Sequence, residues 1–440
     1  MADQISNYQC SCCMGPLQFV GASGKLECEY CGSSFTVEEI EASMSEINES
    51  AEAAKESADA KEAAARASED WEFTKDNWTD EGMKAYNCPS CGAELISDEN
   101  MGASSCPYCG NPTIVPGTFA GMLKPDYVIP FKLDQEAAKN GLKNHYKGKP
   151  LLPNSFCDNN HIEEIKGVYV PYWLYDGSAS GGASYTCTKV HKKRTQTEEI
   201  TTTEYYAASR SGNAPFIKVP ADGSSKMPDD LMDSIEPYDY KDMTSFSKAY
   251  LAGYLADKYD VTAQDNQPKI EKRVKNTLQA MLRETVTGYD TVNVNQQMTH
   301  VEQGKISYAM MPVYMLSTKW NDGNYIFAMN GQTGKMVGDL PIDMGKYWRN
   351  VIITIIIALA VSMGIIFAIG NIASIMTVVL FVFSILLGFI VGGAQMASMK
   401  SVRPATQARD YMPKDKFKLT IKSDKFIRKQ VTKRQIQRNN

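Results

Sequence analysis

Residues 88–109 read Cys88-Pro89-Ser90-Cys91-Gly92, then, with fourteen residues between Cys91 and Cys106, Cys106-Pro107-Tyr108-Cys109: two Cys-x-x-Cys pairs at a fixed distance. The same spacing occurs earlier, where Cys10-x-x-Cys13 is followed by fourteen residues and Cys28-x-x-Cys31, so that every cysteine recurs at an offset of 78. Four thiolates carried by two turns and closing on one tetrahedral ion form a structural zinc site, with no coordination position left for substrate. Two zinc ribbons are therefore expected, one Zn2+ held by Cys10, Cys13, Cys28 and Cys31 and a second by Cys88, Cys91, Cys106 and Cys109. Gly32, Gly92 and Gly110 follow the pairs, where positive φ lets backbone amides approach sulfur at little steric cost. Cys12 is a spare thiol in the first site, and the Cys-x-x-Cys register selects Cys10 and Cys13 over it.

The opposite end of the chain carries the second decisive pattern. Residues 351–398 hold no charge, a run of 48 that exceeds one bilayer crossing of about 20 residues. Gly370-Asn371 interrupts it, which predicts two membrane helices, 351–369 and 372–392, within a transmembrane hairpin at 346–399. Apolar residues fill every face of both, whereas a core helix of a soluble protein keeps a polar stripe. Lys346 and Arg349 precede the hairpin and Lys400, Arg403 and Arg409 follow it, so the positive-inside bias places both termini in the cytosol. A multi-pass protein of the inner (cytoplasmic) membrane is the expected location. No apolar stretch opens the sequence, so no signal peptide is expected.

Charge follows the same division. Residues 1–345 carry 48 acids and 31 bases, a net charge of −17, while residues 400–440 carry 13 bases and 3 acids, a net charge of +10. An acidic body repels a phosphate backbone at long range, and the basic tail suits the anionic inner leaflet. Membrane lipid is thus an expected partner and nucleic acid is not. Eleven cysteines, eight of them in metal-type pairs, fit a reducing compartment.

The fold class expected is an α+β multidomain membrane protein, with a zinc ribbon at 1–36, an acidic helical spacer at 37–80, a second ribbon at 81–115, an α+β cytosolic domain at 116–345, the transmembrane hairpin and a basic cytosolic tail at 400–440. The spacer is rich in Ala, Glu, Ser and Lys, and Ile40, Met44, Ile47, Ala51, Ala54 and Ala58 follow a 4-3 spacing. Alanine at half of that seam buries little area, so a solvated spacer and an oligomerisation helix both remain open, as does a homo- or hetero-oligomer. In the α+β domain, strands are predicted at 127–131, 167–175 (with a bulge marked by Pro171) and from 306, and a helix from Asp134 to about Tyr146. The Thr-rich residues 185–206 predict a long hairpin turning near Lys193. Helical spacing predicts one helix containing Phe246, Tyr250, Tyr254 and Leu255 and another containing Ile270, Val274, Leu278, Met281 and Leu282. Val170-Pro-Tyr-Trp-Leu and Met311-Pro-Val-Tyr-Met share an apolar-Pro-aromatic pattern, which leaves open two related halves. In the tail, Phe417, Leu419 and Ile421 alternate with basic residues as in a strand, and Ser423-Asp424 predicts a turn into a second one through Phe426 and Val431. That tail reads either as a topogenic segment packed on the body or as a docking strand for lipid head groups or a partner.

Catalytic signatures fail on inspection. Gly331-Gln-Thr-Gly-Lys335 lacks the four-residue gap and the following Ser or Thr of a phosphate loop, and reads as a hairpin turn. Cys187 and His191 fall in predicted strand, where four residues span about 13 Å, too far to share an ion. Cys157 and His161 have the same spacing in a loop of Asn and Asp. No nucleophile elbow, Glu-x-x-His pair or dinucleotide fingerprint is present, so no catalytic residue is assigned and an enzyme is not expected. Cys-Pro-x-Cys-Gly knuckles also hold a single iron in rubredoxin-like carriers, which keeps a redox carrier as an alternative, though neither flavin nor di-iron ligands accompany them.

Several long strings carry a resemblance: Tyr86-Asn-Cys-Pro-Ser-Cys-Gly92, Cys106-Pro-Tyr-Cys-Gly-Asn111, Lys124-Pro-Asp-Tyr-Val-Ile-Pro-Phe131, Gly148-Lys-Pro-Leu-Leu-Pro153, Ile165-Lys-Gly-Val-Tyr-Val-Pro-Tyr-Trp173 and the Thr-Lys-Arg tail. With these the chain resembles bacterial TFIIB-type zinc-ribbon membrane proteins, whose members often bear the label of primosomal helicase fragments. The chain lacks the ATPase motif such a label needs. The resemblance implies a role in envelope or membrane stress, as an adaptor or scaffold that recruits phage-shock-type or flotillin-like cytosolic partners to the inner face of the membrane. A membrane-tethered nucleic-acid-binding ribbon protein is the alternative class, which the acidic body disfavours.

Overall fold

The computed structural model describes residues 17–20, 25–28, 32–36, 39, 83–98, 106–109, 111, 115–117, 123–158, 165–195, 197–251, 253–321, 323–369 and 374–435. Cys10, Cys13 and Cys31, the helical spacer apart from Glu39, the side chains of Cys157 and His161, and the Gly370-Asn371 interruption lie outside these residues. In chain order the elements begin with three short strands, β1 (Leu17–Val20), β2 (Lys25–Cys28) and β3 (Ser34–Phe35), which form an antiparallel sheet in the order β1-β2-β3. They continue with β4 (Met83–Asn87), β5 (Glu94–Asp98), β6 (Val115–Gly117), β7 (Tyr127–Val128), α1 (Gln135–Tyr146) and α2 (Asn154–Asp158). Two long strands, β8 (Lys166–Arg194) and β9 (Glu198–Asp222), precede α3 (Asp229–Ile235), β10 (Thr244–Ser245) and β11 (Leu255–Asp257). The chain then forms α4 (Ala263–Glu284), β12 (Thr291–Trp320), β13 (Gly323–Asn330), β14 (Met336–Val337), α5 (Met344–Ile369), α6 (Ser374–Ser398) and β15 (Lys418–Gln435).

These elements make two compact units that interleave along the chain. The first takes Met1–Pro171, Ser224–Asp260 and Met310–Pro404, and the second takes Tyr172–Gly223, Val261–Ala309 and Ala405–Asn440.

In the first unit, a large mixed sheet is covered by α1. Asp134 caps that helix, its carboxylate accepting from the Ala137 amide at 2.8 Å, and Ala138 and Leu142 point inward. They meet Phe156, Ile165, Tyr314 and Leu316 of β12, and Phe327 and Met329 of β13. The segment after β7 runs on beside β12 without being strand, since Pro130 has no amide to give and Lys132 and Leu133 both donate to the Gly331 carbonyl at 3.1 Å. Gly331–Lys335 is a hairpin turn: the Gly334 amide, at φ 79°, bonds Asn330 O at 2.9 Å, and Asn330 Oδ1 accepts from Gln332 and Thr333.

The helix expected through Phe246, Tyr250, Tyr254 and Leu255 does not form. A single 3-10 turn covers Lys248–Leu251, Gly253 adopts φ 81°, and Leu255 opens β11. Tyr254 instead stacks on Phe131 with ring centroids 4.0 Å apart, and two sheet partners claim β11, so non-local pairing overrides the helical spacing.

The two apolar helices also belong to this unit. Met344–Phe367 and Met376–Ser398 are each long and apolar enough to cross a membrane, and both leave most of their apolar surface uncovered by the protein. They pack on one another: Ser362 Oγ and Ser384 Oγ lie 3.1 Å apart, and Asn350 donates to Gln395 at 3.0 Å. A Cβ at Gly388 would lie 2.3 Å from Ile355, so α6 approaches α5 where only glycine fits. Both outer ends are fastened to the globular part, through Leu340 N–H to Met399 O at 3.0 Å, Lys346 Nζ to Leu152 O at 2.5 Å, and Lys149 Nζ to Ser398 O.

In the second unit, β8 and β9 form a twisted hairpin that turns at Thr195–Glu198, where the Thr195 amide and hydroxyl both donate to Glu198 O. No bulge forms at Pro171; the register break lies five residues on, at Asp176, and the extra residue belongs to β9, where Ile217 and Lys218 oppose Asp176, Lys218 adopts φ 54° and its amide donates to Asp176 Oδ1 at 2.8 Å. Helix α4 starts with a Thr262–Asp265 capping box and buries Ile270, Val274, Leu278 and Leu282, the face its periodicity predicts. Strand β12 begins at Thr291, well before the expected 306. Trp173 Nε1 donates to Val261 O at 2.8 Å, and Arg273 donates to Pro220 O at 3.0 Å, fixing α4 against the hairpin.

The tail is one strand of eighteen residues, antiparallel to β9, with no turn at Ser423-Asp424. Asp424 is held by Arg210, whose guanidinium is 1% exposed and makes two bonds to the carboxylate, at 2.8 and 3.2 Å. That pair keeps the strand running through the position where Ser-Asp signals a turn. Replacing Asp424 by Ala removes the counter-charge of a buried guanidinium and the acceptor of its Nη2, while Nη1 keeps the Ser209 and Ser423 carbonyls, which costs roughly 1.5–3 kcal/mol. The expected result is faster amide hydrogen exchange across residues 418–435, with Asp410→Ala, at an exposed site, leaving exchange unchanged.

Candidate metal centre

The second cysteine quartet is assembled by β4, β5 and the turn at 106–109. After β4, the chain turns so that the Gly92 amide, at φ 69°, bonds Cys88 O at 2.9 Å and the Cys88 amide bonds Ala93 O at 2.8 Å. The second pair is closed by Cys106 N to Asn111 O at 2.7 Å, and the Asn111 backbone amide donates to the Cys109 sulfur. Cys88 and Cys109 sulfurs lie 3.6 Å apart, as do Cys91 and Cys106, and all four sulfurs lie within 4.8 Å of one another. None of the four is in a disulfide.

That donor set fits a tetrahedral Zn2+. With Zn–S bonds of about 2.3 Å, sulfurs at the corners of a tetrahedron stand about 3.8 Å apart. Cys88 and Cys106 are buried while Cys91 and Cys109 are half-exposed, so the cluster is shielded without being sealed. Four thiolates so close repel strongly, and a divalent cation removes that cost. Their mutual contacts hold Cys109 and Cys88 below the usual thiol range and push Cys106 up. All four ligands expected in the second ribbon are thus brought together. Of the first quartet, Cys28 ends β2 opposite Leu17, and Gly32 has φ 72°.

Sequence reasoning missed how this hairpin is mounted. Strand β5 pairs with β11, Ala256 opposite Ile96 and Asp257 opposite Leu95, and β11 pairs in parallel with β8. Strand β4 takes β6 on its other side. The cysteine hairpin is therefore an extension of the large sheet of its unit, reinforced by Lys258–Glu94 at 3.0 Å. Leu255, Ala256 and Asp257 are all buried, and the helical spacing of Phe246 to Leu255 masked the strand that carries them.

Asp257 lies beside the centre. Its carboxylate accepts from Ser224 Oγ at 2.6 Å and interacts with the Tyr108 hydroxyl, which stands between Cys106 and Cys109 in sequence. Burial pushes the Asp257 carboxyl up to about 7, the Ser224 and Tyr108 contacts offsetting only part of it. Burial, and then Asp257 itself, push the Tyr108 hydroxyl well above its ordinary value.

Elsewhere, Cys187 is buried and His191 exposed along β8. Among the described residues, the cysteine quartet is the one group with metal-ligating geometry.

Comparison with known proteins finds a relative in Bacillus subtilis (strain 168), the uncharacterized protein YdjG, 32% identical over 342 residues that make up 78% of this chain and 92% of the relative. No family model matches the chain, and no solved structure matches it.

Two outcomes follow from this geometry. Replacing Cys91 and Cys109 by Ser is expected to lower bound zinc by one equivalent per chain, read by elemental analysis, and to raise hydrogen exchange over 83–98. Asp257 binds its proton more tightly folded than unfolded, where its value is near 3.8, so its contribution to stability is full below that pH and is lost as pH rises through 7. An Asp257→Asn variant lacks this loss, and the difference in unfolding free energy between variant and wild type should grow in the variant's favour by about 2 kcal/mol between pH 5.5 and 7.5. A gap that stays constant over that range would place the ionisation elsewhere.

Proposed function

The chain belongs to the family of YdjG, and from that premise we propose that it is a membrane-anchored adaptor of the TFIIB-type zinc-ribbon kind, which displays metal-stabilised surfaces in the cytosol and recruits soluble proteins to the inner leaflet. The observation that carries this reading is the clamped helical hairpin. Two helices with no charge between Asn350 and Met399 pack on each other, and both outer ends are tied to one folded unit. Such a protein holds its whole folded mass on one side of the membrane.

The positive flanks, Lys346, Arg349, Lys400 and Arg403, assign that side to the cytosol. A reducing compartment keeps cysteine quartets as thiolates, so location and metal chemistry agree. Both quartets hold Zn2+ in closed, structural sites, which leaves the metal no substrate position and a scaffolding role. The resemblance supplies the remaining element, a part in the response to membrane stress with phage-shock-type or flotillin-like partners.

Topology is the test. An Asn371→Cys variant is expected to react with an impermeant maleimide on intact cells, whereas an Asn440→Cys variant reacts only after permeabilisation. Removing the chain should shift its bound partners, identified by mass spectrometry after affinity purification in mild detergent, from the membrane fraction to the soluble one. The reverse labelling pattern, or partners that stay at the membrane without it, overturns the adaptor reading.

A further inference from the structure

Strand β15 is an edge. Among the described residues it pairs with β9 alone, and its other side presents a row of backbone amides and carbonyls. Edge strands are usually guarded by short length, proline, bulges or charged side chains, because an open ladder templates the addition of another chain, and lysines repel a like-charged strand while leaving the edge open to an acidic one. This one runs eighteen residues without proline. Its register breaks between Leu419 and Ile421 and between Phe426 and Arg428, then continues uninterrupted from Arg428↔Tyr205 to Gln435↔Glu198. Eight residues of regular ladder exceed the usual strand length of about five or six.

The side chains along this edge have one sign. Lys418, Lys422, Lys425, Arg428, Lys429, Lys433 and Arg434 are all exposed, and the single acid of the strand, Asp424, is occupied by Arg210. Register puts Lys429, Val431 and Lys433 on one face of the regular stretch and Arg428, Gln430, Thr432 and Arg434 on the other. Val431 is 51% exposed. The bases therefore line both faces of a ladder that still has hydrogen bonds to give.

We propose that the outer edge of Arg428–Gln435 is a docking strand for an acidic peptide segment of a cytosolic partner, which adds to the sheet in extended conformation. An added strand projects alternate side chains to both faces, so its carboxylates meet both rows of bases while its backbone completes the ladder. A second copy of β15 fits poorly, because antiparallel pairing would set bases against bases. A bilayer laid against one face would reach only one of the two rows. The proposal rests on the adaptor reading and supplies its contact with the partner.

The probe is a blocked octapeptide, Glu-Glu-Val-Glu-Glu-Thr-Glu-Glu, which carries carboxylates on both faces when extended, labelled at one end and titrated against the full-length protein in uncharged detergent. Binding should weaken with added salt, and N-methylation of alternate residues, tried in both registers, should weaken it at least about tenfold in one of them by removing ladder donors while keeping the charge. A Lys429→Glu, Lys433→Glu variant should lose about tenfold in affinity. Zinc content and hydrogen exchange over 418–435 should stay unchanged in that variant, showing that the whole strand, including Arg428–Gln435, remains paired with β9. Equal binding of the N-methylated peptides means charge attraction without strand addition and overturns the proposal. So does the absence of peptide binding, displacement of the peptide by phosphatidylglycerol vesicles, or self-association through this edge. Any of these results leaves the adaptor reading standing if the partners still depend on the chain for membrane localisation, whereas reversed topology removes that reading whatever the peptide does.

Discussion

One backbone hydrogen bond, from Leu340 N–H to Met399 O, closes the loop that contains both apolar helices. Met399 is fully buried in the same cluster as Leu340, Phe327 and Phe156, so the exit of the second helix is packed into the core that the entrance of the first one leaves. The Ser401 hydroxyl donates to Gly338 O and accepts from the Gly338 amide, each at 2.8 Å, doubling the closure. Apolar helices in lipid gain little from association with each other, which makes small residues and hydrogen bonds the available means of holding them. Gly388, Gly392 and the Ser362–Ser384 pair do this between the helices, and the clamp orients the pair with respect to its folded unit.

The same unit carries the cysteine centre by a different device. A zinc ribbon alone is stabilised mostly by its metal. Here β5 is also hydrogen-bonded to β11, and β11 to β8, so backbone pairing carries the centre into a sheet with a core of its own. Tyr108 and Asp257 join the two parts in the interior. A carboxyl in that position is retained at a cost in stability near neutral pH, and its contacts with Ser224 and Tyr108 reduce that cost.

The second unit is built from long, regular pairing. Helix α4 covers one end of the β8–β9 hairpin with a continuous apolar face, and the tail strand extends the sheet on the β9 side. Arg210, Asp424, Tyr206 and Phe426 share one face of that extension, the rings 5.6 Å apart at near-perpendicular planes. Farther along, the contacts thin to Lys429 beside Glu204 and Arg428 over the Tyr205 ring, which leaves the outer edge to solvent. Packing thus divides β15 into a fastened half and an accessible half.

Local chemistry was legible in the residues themselves. Metal-ligand spacing, the uncharged run from 351 to 398, the Asp134 cap and the 3.6-residue stripe of Ile270, Val274, Leu278 and Leu282 each involve neighbours in sequence, and each keeps its meaning in any tertiary setting. What required the tertiary structure was the choice of distant partners. Phe246 to Leu255 has helical spacing, yet Leu255–Asp257 lies between two strands, because sheet hydrogen bonds and the Phe131 stack outweigh a weak local preference. Ser423-Asp424 has the composition of a turn, yet a buried arginine more than two hundred residues away holds it extended. The second quartet follows from spacing alone, whereas its attachment to the sheet and the proton on Asp257 depend on burial, which a string of residues does not reveal until the chain has folded around them.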